Sequence, residues 1–279
     1  MPRPAPRSLR LTANVVGVAA FLLCIFPVYW MLNSSLLPRN QIRALTPTWF
    51  PSPGTLDNYR TVLDGGQFLS ALRISLEVTL LTVAFALVIA FLAAVALTRF
   101  RFRGRTAFVV TLLAIQMIPV EALFISQYKL LEGLALLNSV AGLTLVYVAT
   151  VLPFTIWTLR GFVSGVPYEL EEAAMIDGCS RVQAFFRVTF PLLAPGLVAT
   201  GVFAFIQAWN EFTLAVVVMT REDRRTLPLW LTTFTDVNRG TEWGAVMAGS
   251  TLIAIPVVIF FLLVQGRMVS GLTAGAVKG

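Results

Sequence analysis

Six runs of the chain, at 11–32, 74–97, 107–126, 139–159, 196–219 and 245–264, extend for about 20 residues or more with almost no charge. A bilayer core of roughly 30 Å is crossed by a helix of about that length. Hydrocarbon offers nothing to hydrogen-bond a bare backbone, so such runs must close their N–H and C=O groups internally as helices. With 57% hydrophobic and only 13% charged residues, the soluble globular classes are excluded. The expected fold is all-α and polytopic, a single transmembrane domain over 1–279 with six spanning helices. The second run is preceded by Arg73, one helical turn before Glu77, close enough to pair at a membrane interface.

Arg3, Arg7 and Arg10 ahead of the first run imitate a secretory signal. The apolar run that follows is longer than a signal core, and no small-residue cleavage site closes it, so a retained helix is expected. Between the second and third runs, Arg99, Arg101, Arg103 and Arg105 stand without an acid, against Lys129 and Glu132 in the next connection. Short loops rich in arginine stay in the cytosol, which with six spans places both termini there too. Arg221, Arg224 and Arg225 fall on the opposite side by this count and run against the rule, although Glu222 and Asp223 dilute them. The net charge of +7 is read as membrane topology and attraction to anionic lipid. No nucleic-acid-binding module is visible, so none is expected as a partner.

The chain contains no histidine, which removes imidazole relays and Ser-His catalysis. Cys24 lies in the first run and Cys179 in a loop, with no metal-ligand spacing around either. The glycine-rich end at 271–279 lacks the spacing of a phosphate-binding loop. No catalytic residue, metal or cofactor is therefore expected, and the chain is not read as an enzyme. Uphill transport would draw on an ion gradient or on a separate ATPase.

One polar loop, at 161–195, separates the fourth and fifth runs. Pro167 suits a first helical position, and Glu169, Glu171 and Glu172 suit the first turns, where the helix dipole favours anions. A helix from Pro167 to Asp177 is expected. Gly178 can take the left-handed conformation that ends it. Ser180 with Gln183 forms a capping box that starts a second helix at Arg181, expected to stop before Pro191. On the first helix, Leu170, Ala173, Ala174 and Asp177 make a low-relief stripe that permits close approach.

Glu172-Ala-Ala-Met-Ile-Asp-Gly178, with Val188 ten residues after the glycine and then Phe190-Pro191, resembles the EAA loop of ATP-binding-cassette importer permeases, written E-A-A-x-x-x-G with a later I-x-L-P. Val188 stands for Ile and Phe190 for Leu, and both keep the apolar character. Gln116-Met-Ile-Pro119, Leu136-Leu-Asn-Ser139, Ala208-Trp-Asn-Glu-Phe212 and the end at 271–279 resemble the maltose-type carbohydrate-uptake subfamily. The resemblance implies a permease subunit for a sugar or sugar derivative in a prokaryotic cell membrane. Its implied partners are a second permease, two ATPase subunits and an extracytoplasmic solute-binding protein. It further implies that Glu172, Ala173, Ala174, Asp177, Gly178 and Pro191 belong to a coupling helix seated in the ATPase, and that the chain's end threads between the two ATPases.

Gln116, Trp209, Asn210 and Glu211 are the substrate-pathway candidates, because polar groups inside spanning runs mark pathways or inter-helix pins. Both readings stand for Glu211, and for Gln116 a pore-facing stretch competes with a simple proline kink. The segment 33–70 is an interfacial lid with Trp49 and Phe50 at headgroup level, or a contact for the binding protein. For 221–243 the resemblance implies a loop that reaches the binding protein. The competing function is an ion-coupled secondary transporter, for which Glu211 and Glu121 would be the ionisable groups.

Overall fold

The computed structural model describes residues 7–236 and 240–276, with side chains over 12–236 and 240–266. Thirteen helices follow in order among the described residues: α1 Arg7–Ser35, α2 Arg39–Ile42, α3 Asp57–Asp64, α4 Phe68–Arg99, α5 Arg105–Ile115, α6 Phe124–Gly133, α7 Val140–Gly165, α8 Glu169–Ile176, α9 Arg181–Ala184, α10 Phe190–Asn210, α11 Thr213–Val218, α12 Leu227–Leu231 and α13 Trp243–Ala276. A two-residue hairpin, β1 Thr235–Asp236 with β2 Gly240–Thr241, precedes α13. Five helical stretches are long and apolar enough to cross a bilayer, and a sixth arises if one bent pair counts as a single span.

The chain divides into two compact units, Met1–Phe68 with Leu231–Ile255, and Leu69–Trp230 with Pro256–Gly279. In the first unit, Trp49 packs edge-on to Trp30 of α1 at 5.6 Å, and the Tyr29 hydroxyl donates to the Trp49 carbonyl. The buried Asn58 of α3 donates to the carbonyls of Ser35 and Leu37, each at 2.9 Å, closing the end of α1. The apolar window of α1 itself has no buried residue. Leu23 is 77% exposed, as expected for a helix that meets lipid or another chain.

The second unit holds two apolar clusters. Ile74, Val78, Leu131, Leu143, Tyr147 and Leu214 fill one end. Ala90, Ala94, Leu97, Leu159, Val163 and Leu193 fill the other. Helices α7 and α10 pack most extensively against each other. The expected pair of Arg73 and Glu77 forms at 2.7 Å.

Several boundaries depart from the sequence reading. The third run does not make one straight helix. The backbone leaves α5 at Gln116 and turns by 96° into the stretch Val120–Gly133, because Pro119 cannot donate to a helical ladder. The fifth run, expected over 196–219, is instead a continuous helical stretch Arg181–Asn210 that ends at Glu211, where the backbone is extended (φ −68°, ψ 126°) before α11 begins. The second helix of the polar loop does not stop before Pro191. A π-helical turn at Phe185–Thr189, in which the Phe190 N–H reaches back to the Phe185 carbonyl, carries the chain into α10. The wider turn admits a proline ring that a regular helix would exclude. The first helix of that loop begins at Glu169, two residues after Pro167. At the far end the backbone of α13 is helical to Ala276, through most of the glycine-rich stretch 271–279. Lys278 and Gly279 lie outside the described residues.

Candidate functional site

Helix α8 ends by a Schellman motif. The Cys179 N–H donates to the Ala174 carbonyl at 3.0 Å and the Gly178 N–H to that of Met175 at 3.1 Å. Gly178 has φ +90°, the left-handed region expected of it. Ser180 and Gln183 complete their capping box, with the Gln183 N–H donating to Ser180 Oγ at 3.3 Å and the Ser180 N–H to Gln183 Oε1 at 2.9 Å. The result is a tight hairpin of two short helices.

One side of the hairpin is locked into the second unit. Glu171, only 8% exposed, forms an ion pair with Arg99 at the end of α4, Nη2 to Oε1 at 3.1 Å. The hydroxyl of the fully buried Thr189 donates to the same oxygen at 2.7 Å. Arg99 also donates to the Val166 carbonyl at 3.1 Å, and its guanidinium lies over the Tyr168 ring at 5.4 Å. Breaking a buried pair of this kind by removing one partner costs about 3–5 kcal/mol, against about 0–1 for an exposed pair. None of these three residues stands out in the sequence as a site. Arg99 reads there as one topological arginine among four, and Glu171 as one of three acids in a first turn.

The other side of the hairpin is open. Glu172, Ala173, Asp177 and Gly178 are exposed and Ala174 is half-buried. Beside them Ile176 is 87% exposed, while Val182 and Phe186, 66% and 58% exposed, line a groove together with Arg99, Tyr168 and Glu171. Pro191 is exposed at the start of α10, beyond the π turn. The open face thus joins apolar side chains to two carboxylates, a composition suited to a protein partner.

At the break between α10 and α11 a cleft of about 420 Å³ brings Gln116 and Glu211 together, with Gln127, Tyr147, Thr150 and Gln207 among its walls. Trp209 and Asn210 lie outside this lining. Trp209 is 1% exposed and stacks on Phe205 at 5.6 Å. Asn210 is exposed and donates to the Ile206 carbonyl at 2.9 Å. The Glu211 carboxylate accepts the N–H groups of Leu214 at 2.8 Å and Ala215 at 3.1 Å, capping α11. Both oxygens are therefore engaged by the backbone at the start of α11. Gln207 was legible in principle, since it lies four residues before Glu211 on one helix face. Gln127 was not, because only the sharp bend after Gln116 folds α6 back to the cleft.

The loop after α11 is tied down by Asn138, one of the motif residues Leu136-Leu-Asn-Ser139. Its Oδ1 accepts the Arg221 N–H at 2.8 Å, and its own N–H donates to the Val218 carbonyl at 3.0 Å. Arg221 grips Asp223 through two contacts of 3.0 Å, which hold the Asp223 carboxyl below its ordinary range. Arg225 pairs with Glu222 at 3.5 Å. The basic group that runs against the positive-inside rule is thus largely neutralised by its own acids.

Residues 86–273 match the family described as binding-protein-dependent transport system inner membrane component. The chain is 49% identical over 270 residues to the diacetylchitobiose uptake system permease protein DasC of Streptomyces coelicolor, covering 97% of this chain and 98% of that one. It is 37% identical to the trehalose transport system permease protein SugB of Mycobacterium tuberculosis, covering 96% of each. In fold it resembles a chain of a bacterial ABC transporter involved in the import of alginate, with a TM-score of 0.76 at 23% identity over 95% of this chain and 99% of that one. A matched segment covering more than half of the chain, together with relatives alike over nearly their whole length, places the chain among the inner membrane components of binding-protein-dependent transport systems, and it belongs to that family.

Proposed function

We propose that the chain is one of two permease subunits of an ATP-driven importer for a sugar or sugar derivative in a prokaryotic cell membrane. ATP is hydrolysed on separate cassette subunits, and a solute-binding protein delivers the sugar from outside. Glu172, Ala173, Ala174, Asp177 and Gly178 dock on an ATPase, with Pro191 positioning the return into α10. The hairpin and both termini face the cytosol. The single observation that carries this reading is the two-sidedness of the hairpin: Glu171 is buried against the chain's own helices, while Glu172, Ile176 and Val182 are open to a partner.

The solute class rests on the two relatives, named for diacetylchitobiose and trehalose uptake. It also rests on the cleft, whose polar walls are mostly neutral amides and hydroxyls, suited to a hydroxyl-rich solute. Gln116 and Glu211 line the solute's path, and Trp209 and Asn210 lie outside it. The test is reconstitution of the permease pair with the ATPases and the binding protein in liposomes, with uptake measured for diacetylchitobiose, trehalose and maltose. ATP- and binding-protein-dependent uptake of one of these is the expected result. Uptake by the permease alone under a proton or sodium gradient would refute it.

A further inference from the structure

Arg99 holds four separate parts of the hairpin and its surroundings at one point. Its guanidinium, carried at the end of α4, donates to the Glu171 carboxylate of α8 at 3.1 Å and to the Val166 carbonyl behind α7, and covers the Tyr168 ring. Thr189, in the π turn that opens into α10, completes the set by donating to the same Glu171 oxygen at 2.7 Å. The two charged side chains are only 13% and 11% exposed. Among the described residues, every other ion pair of the second unit has at least one partner more than half exposed. Apolar contacts of Phe185 and Phe190 with Phe91 of α4 also join the hairpin to the spanning helices. Apolar contacts are non-directional and allow sliding, whereas a buried charge pair fixes both distance and orientation.

We infer that Arg99, Glu171 and Thr189 are positioning residues for transport: they form a joint that makes the hairpin move as one body with α4 and α10, so that a push on the exposed face is converted into tilt of the spans. The inference rests on the docking role proposed for that face, and it assigns function to the buried side, which touches neither ATPase nor solute. Loss of the joint should leave docking and hydrolysis in place while the hairpin pivots without moving the helices.

The test uses the whole transporter, with the permease pair, ATPases and binding protein reconstituted in liposomes, and reads three quantities: ATPase recovered with the permease, ATP hydrolysed, and diacetylchitobiose taken up per ATP. Glu171→Gln and Arg99→Gln are each expected to lower uptake per ATP about tenfold with ATPase recovery retained. The double variant should be no worse than the worse single, because one joint is lost only once. Thr189→Val, which keeps the charges, should give a smaller loss of the same kind, and Glu169→Gln none. The exchange Arg99→Glu with Glu171→Arg should recover part of the ratio. A ratio unchanged in the single variants, losses that multiply in the double, or losses explained entirely by less assembled complex would each overturn the inference. Failure of the wild-type permease to recover any ATPase would instead remove the docking role itself, which is a separate outcome.

Discussion

Glu171 and Glu172 are adjacent in α8 but differ in surroundings, the first held at 3.1 Å from Arg99 in the interior and the second open to solvent. One helical step of about 100° thus divides the hairpin into an anchored side and a free side. Glu172→Ala should therefore weaken ATPase recovery by about tenfold or more, as truncating one partner of a buried interface pair does, whereas Glu169→Ala should leave it nearly unchanged. Quantitative pull-down of the ATPase reads the difference. Equal recovery for the two variants would mean that Glu172 lies on a solvated face.

Gly178 tests the turn. No atom stands within 4 Å of where its side chain would begin, so the cost of Gly178→Val is purely that of φ +90° for a β-branched residue. That cost is about 1–3 kcal/mol, enough to redirect α9 while the spans still insert. Gly178→Asn, which tolerates the left-handed region, should retain most of the uptake that Gly178→Val loses. If the two variants transport alike, the left-handed turn is not what holds the hairpin.

Glu211 separates a pin from a proton carrier. Glu211→Ala removes the cap from the Leu214 and Ala215 N–H groups and should lower the unfolding midpoint in detergent through a loss of about 1 kcal/mol. Glu211→Gln keeps an acceptor oxygen and should transport with the same pH profile as wild type. A flattened pH profile in Glu211→Gln would restore the proton-carrier reading.

Helices α7 and α10 approach through Gly196. A Cβ there would stand 2.4 Å from the Phe162 ring, closer than real contacts allow. Gly196→Ala should cost about 1–3 kcal/mol through overpacking, and Phe162→Ala in the same chain should relieve part of it. Thermal unfolding of the two singles and the double measures the coupling, and strict additivity would contradict the contact.

Much of this arrangement was legible in the residues. Run length gave the approximate place of the apolar helices, because hydrocarbon leaves the backbone no alternative to a helix. Gly178, Ser180 and Gln183 gave the hairpin's turn and second start, because caps and left-handed turns are local chemistry. What escaped was long-range. Pro119 marks a bend after Gln116 but not its 96° angle, and the break at Glu211 has no proline or glycine beside it to announce it. Pro191 reads as a stop, yet the preceding π turn lets the helix pass. The partnership of Arg99 with Glu171, 72 positions apart, leaves no periodic trace in the chain. The sequence also gives no sign of the division into two compact units, because that division follows contacts and not composition.

The most direct test of the central claim is a cross-link from the free side of the hairpin. A photoreactive or cysteine-reactive probe at position 172, on a Glu172→Cys permease assembled with its ATPases, should capture an ATPase subunit, and the yield should change when ATP binds. The same probe at Glu171→Cys should capture α4 of its own chain. Capture of lipid or of the chain itself from position 172, with no ATPase product at any nucleotide state, would contradict the account.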